Sequence, residues 1–114
     1  MTARDELAAA ASTIDGITVT AGFRQVTAPG DGFVQRSTIA TDPSGFGWLQ
    51  TWRIFVCAGQ DMAAAEAFYD EHAAQLLTAL RRQLLDLALE PQELVYGTAT
   101  TNALVLTGTR ELQE

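Results

Sequence analysis

The sequence predicts an α+β fold: a mainly antiparallel sheet of about five strands packed by one long and one short helix. Three observations lead there. Apolar residues alternate with polar ones in Ile17 to Ala21 and return in the aromatic and β-branched run Trp48 to Cys57. Apolar residues then recur at helical spacing from Met62 to Leu87, and turn-forming clusters punctuate the chain between these segments.

The first element is a short amphipathic helix over residues 3 to 14. Thr2 with Asp5 and Glu6 supplies acceptors for the free amides of a first turn, Leu7, Ala10, Ala11 and Ile14 follow at helical spacing, and Asp15-Gly16 stops it. A half-buried strand begins at Ile17, with Ile17, Val19 and Ala21 on one side. Ala28-Pro29-Gly30-Asp31-Gly32 reads as an exposed loop, Phe33 to Thr41 as a more polar strand, and Asp42 to Gly47 as a second loop. Trp48 to Cys57 is the strongest strand and belongs in the sheet centre, and the segments flanking Asp42 to Gly47 pair as a hairpin.

Asp61 caps the longest element, a helix expected to reach Glu90, where Pro91 forbids continuation. At about 100° per residue, Met62, Ala65, Tyr69, Ala73, Leu76, Leu77, Leu80, Leu84 and Leu87 form one face for the sheet. Leu85 and Leu89 fall outside that stripe, on the side of Glu71, Gln75, Arg82 and Asp86, and are interface candidates. Two strands, Glu93 to Thr100 and Ala103 to Glu111, then reverse at Thr101-Asn102. The expected order is α, β, β, β, α, β, β in a single domain spanning residues 1 to 114.

Composition narrows the function classes. The start has charges at once and lacks the apolar stretch of a signal peptide, and no run approaches the roughly 20 apolar residues of a membrane span. A cytoplasm, or a particle assembled there, is the expected location. The formal charge of -7 disfavours sequence-independent nucleic-acid binding. All seven basic residues are arginine, so there is no lysine nucleophile.

Chemistry is sparse. Cys57 is the single cysteine and reads as a small buried hydrophobe, and His72, the single histidine, reads as a helix-surface residue. Neither has partners at metal-binding spacing, so no zinc site and no cofactor is expected. Gly30-Asp31-Gly32 and Gly45-Phe46-Gly47 lack the lysine and hydroxyl of a Walker loop and the glycine spacing of a dinucleotide site, and Ser44 reads as a turn residue. Trp48, Trp52 and Phe55 suit core packing better than base stacking, with only Arg53 inside their strand. A small-molecule pocket between sheet and helix stays open.

Gly59-Gln60-Asp61-Met62-Ala63-Ala64-Ala65-Glu66 opens a long helix after a hydrophobic strand, and residues 94 to 110 close the chain as Leu-Val-Tyr-Gly-Thr-Ala-Thr-Thr-Asn-Ala-Leu-Val-Leu-Thr-Gly-Thr-Arg. In these segments and in architecture the chain resembles the tail terminator proteins of long-tailed, siphovirus-type bacteriophages, especially those of phages infecting actinobacteria. The resemblance implies a structural protein of the virion without enzyme activity. It would form a hexameric ring on the head-proximal top of the tail, stop tube polymerisation and dock the head connector, assembling in the host cytoplasm.

The implied partners are further copies of itself, the major tail tube protein and a head-completion or stopper protein, with no membrane and no stable nucleic-acid contact. A closed ring needs complementary lateral surfaces and no reactive side chains, so loops and strand edges carry the function. The candidate interface residues are Pro29, Asp31, Phe33, Asp42, Phe46, Leu85 and Leu89. Two other classes stay open: a neighbouring head-tail stopper, and a cellular α+β module that dimerises or holds a small ligand.

Overall fold

The computed structural model describes residues 2–22, 28–41, 47–96 and 99–112. Helix α1 spans Ala3–Ala11. Its start is a capping box: the Asp5 amide donates to the Thr2 hydroxyl at 3.2 Å, and the Thr2 amide donates to the Asp5 carboxylate at 3.3 Å. The helix stops three residues before the expected Ile14. Ser12 explains this, because its hydroxyl accepts from the Val19 amide at 2.9 Å and so ties the helix end to the next strand.

Strand β1, Thr18–Thr20, pairs in parallel with the start of β2, Asp31–Thr41. Strand β3, Trp48–Gly59, lies antiparallel to β2, with a bulge between Arg36 and Thr38. Gly30 joins the three strands: its carbonyl accepts from the Thr18 amide and its amide donates to the Cys57 carbonyl, both at 2.8 Å. With φ +92 and the Gly16 carbonyl where a Cβ would stand, no other residue fits there.

Helix α2 spans Met62–Leu80, with the Asp61 carboxylate accepting from the Ala64 amide. It ends ten residues before the expected Glu90. After a turn at Arg81 to Gln83 the chain enters strand β4, Leu85–Tyr96, which pairs with β5, Ala99–Leu112, to give the sheet order β1-β2-β3-β5-β4. Pro91 lies inside β4 and does not terminate a helix. An edge strand tolerates a residue without an amide proton. The expected reversal at Thr101-Asn102 is also corrected: the β4–β5 pairing already begins at Tyr96 with Ala99, and Thr101 and Asn102 are buried strand residues paired with Leu94 and Glu93.

The sheet buries both faces at its centre. Trp52, Ile54, Val56 and Ala58 of β3 join Val34, Leu104 and Leu106 under Leu7, Ala65, Tyr69, Leu76 and Leu80 of the helices. The alternate residues Phe55 and Cys57 form a second cluster with Phe33 and Val105. Burial of each large side chain contributes about 1.5–3 kcal/mol, so the central position expected for β3 follows from its apolar residues on both faces.

Candidate functional site

Among the described residues, the large exposed apolar side chains are Ile39 and Trp48 on the β2–β3 hairpin, Leu85 and Val95 on the outer strand β4, and Met62 at the start of α2. On the β2–β3 hairpin, Ile39 is 47% and Trp48 44% exposed. Ile39 stands opposite Gln50, and Trp48 lies two residues from Gln50 along β3, so the two share one face as diagonal neighbours. The hairpin reaches well past β1, which pairs only with Asp31, Gly32 and Phe33.

On the opposite edge of the sheet, Leu85 is 65% exposed at the start of β4, and Val95 is exposed near the other end of the strand, ten residues or about 33 Å away. A bulge sets the orientation of Leu85. Between the Leu85–Thr109 and Ala88–Thr107 pairs β4 has one residue more than β5, and Asp86 takes the left-handed conformation with φ 54. Leu85 thereby stays exposed while Leu87 and Leu89 pack against the core.

The candidate residues therefore divide. Leu85 and Leu89 are not a helical pair, since both belong to β4, and only Leu85 offers free surface. Phe33 is buried and stacks on Phe55 with centroids 4.7 Å apart, so its side chain has little to present to a neighbour. Pro29 is exposed and borders a hollow with Gly59 and Asp61, and Asp31 is half-buried at the start of β2. Asp42 and Phe46 lie outside the described residues.

Next to the hairpin face stands a cluster of polar and aromatic side chains. The guanidinium groups of Arg36 and Arg4 lie over the Trp52 ring, 4.8 and 5.4 Å from its centroid. Arg4 also donates to the carbonyls of Ala21 and Val34, each at 3.1 Å. Arg110 pairs with Glu6 of α1 and donates to Gln83 at 3.2 Å. These contacts fasten α1 and the turn after α2 to the sheet. Within the cluster, Gln50 Oε1 and Trp52 Nε1 are buried and have no hydrogen-bond partner among the described residues.

Cys57 is buried as expected, with its sulfur 3.1 Å from the Thr101 hydroxyl. His72 corrects its assignment to the helix surface: it is 8% exposed, packs on Phe68 and sits 2.9 Å from Gln75 Oε1 through Nδ1. The other ring nitrogen lies 3.8 Å from the Glu71 carboxylate, so both nitrogens of the buried ring have a polar neighbour. Among the described residues there is no group of three His, Cys, Asp or Glu side chains that could hold a metal ion.

No family model matches the chain, and no curated protein is significantly similar to it. Sequence reasoning missed Ile39, Trp48, Val95 and Met62 as exposed apolar residues. The alternation Leu85, Leu87, Leu89 was the available signal for β4, but it also satisfies part of a helical stripe.

Proposed function

We propose that this protein is a phage tail terminator, a subunit that forms a ring on the end of the tail tube, halts tube growth and presents its free face to the head connector. One observation carries the reading: exposed apolar side chains stand at two unlike places on the sheet, Ile39 and Trp48 on the β2–β3 hairpin and Leu85 beside the bulge at the start of the β4 edge. Two different surfaces on one subunit suit a repeating head-to-tail contact, whereas a self-complementary patch gives a dimer.

The element order α-β-β-β-α-β-β agrees with the architecture that the resemblance implies. The acidic net charge of -7 also suits a ring through which DNA passes without adhering. In this account Leu85, Ile39 and Trp48 supply apolar contact between neighbours, and Arg4, Arg110 and Glu6 hold the hairpin side rigid. The test is addition of the protein to polymerising tube subunits, with tube length and tips read by electron microscopy.

A further inference from the structure

Strand β3 turns Trp52, Ile54, Val56 and Ala58 toward the helices, and Gln50 stands in the same alternating row. Gln50 is the polar member of that row. It is 2% exposed and lies between its cross-strand neighbours Ile39 on β2 and Arg110 on β5. A leucine would fill such a place at no polar cost, whereas an enclosed amide lowers stability unless it is hydrogen-bonded.

The next residue of the row has the same need with the opposite sign. Trp52 is fully buried, and its indole N–H is a donor and nothing else. Gln50 Oε1 and Trp52 Nε1 are the buried side-chain atoms without a hydrogen-bond partner among the described residues. An acceptor and a donor, each lacking a partner, thus fall on one face of one strand, two residues or about 7 Å apart along the backbone. They do not bond each other.

The chemistry of the pair selects what joins them. The group must accept from the indole and donate to the amide oxygen, which a hydroxyl-type molecule does and a simple anion does not. The guanidinium groups of Arg36 and Arg4, 4.8 and 5.4 Å from the Trp52 ring centroid, repel a cation. Both atoms are closed to solvent, so the group is small. A water molecule about 2.9 Å from each atom spans a gap of about 5 Å, which suits side chains projecting from alternate positions of a strand.

We infer that one resident water bridges Trp52 Nε1 and Gln50 Oε1, accepting from the indole N–H and donating to the amide. It forms part of the packing where the β2–β3 hairpin leaves the core, and it does not depend on the ring reading.

Water-selected nuclear Overhauser spectra of the full chain test this, with Trp48→Phe used to assign the Trp52 indole proton. The Trp52 indole proton is expected to show a cross-peak to water with the sign of a long-lived contact, and slow exchange with deuterium. Gln50→Leu should abolish the cross-peak while the protein stays folded by circular dichroism. A crystal structure of the wild-type chain that resolves ordered water serves as the second measurement should that variant fail to fold, and it should show one water within hydrogen-bond distance of both atoms.

Absence of a long-lived water contact in the wild-type protein overturns the inference, and so does a contact that persists unchanged in Gln50→Leu. A crystal structure in which Trp52 Nε1 donates directly to Gln50, or to any other atom of the chain, overturns it as well.

Discussion

The sulfur of Cys57 lies 3.1 Å from the hydroxyl of Thr101, across the β3–β5 pairing and fully enclosed on the sheet face that also holds Phe33 and Phe55. The thiol is a packing group with one polar neighbour. Cys57→Ala should lower unfolding free energy by about 1–2 kcal/mol through lost contacts and an unpaired hydroxyl. Denaturant titration measures this, and the folded protein should resist thiol reagents. Rapid labelling of Cys57 under native conditions would contradict its burial.

His72→Ala should likewise reduce stability, by about 1–3 kcal/mol, because a buried ring packed on Phe68 is replaced by a cavity. Assembly should survive in the folded variant. Loss of assembly with an unchanged melting curve would reveal a role beyond packing.

Leu85 and Leu89 separate the strand from the helix that the sequence suggests. Leu89→Ala should cost about 2–3 kcal/mol, since Leu89 packs on the core, while Leu85→Ala should stay within about 0.5 kcal/mol. Equal losses on thermal or denaturant unfolding would contradict the bulge at Asp86. In assembly the order should reverse, with Leu85→Ala the more damaging.

The capping box gives a pH dependence of known sign. Hydrogen bonds from the side chain and backbone of Thr2 hold the Asp5 carboxyl below its ordinary value of 3.8. A carboxyl lowered in the folded state contributes stability that is present above 3.8 and is lost as pH falls through its folded value. The stability difference between wild type and Asp5→Asn should therefore be steady above that pH and shrink below it. A difference that grows on acidification would contradict the cap.

Much of the fold was legible where one pattern dominated. Trp48 to Cys57 is apolar on both faces and could only be a central strand, and Thr2 with Asp5 announced α1. Residues 81 to 96 were not, because Leu84, Leu87 and Pro91 fit a helix and its stop as well as a turn followed by an edge strand. What decides is tertiary: β5 needs a partner, and Gly108 leaves room for Leu84 and Leu87 to pack on it. The reversal was misplaced because Thr101 and Asn102 look like turn residues, yet Cys57 and Gly59 satisfy their polar groups inside the sheet. Of the site, Leu85 was found for the wrong reason. Ile39 and Trp48 were hidden because their exposure depends on how far the hairpin reaches beyond its neighbours.

The most direct test of the tail-terminator account is growth of tail tube subunits from the same phage with and without this protein, with lengths and ends seen by electron microscopy. The account predicts short tubes of uniform length bearing a ring at one tip, and loss of both effects when Ile39, Trp48 and Leu85 are replaced by serine in a protein that still folds. Tubes that grow unchanged and end bare in the presence of the wild-type protein would contradict it.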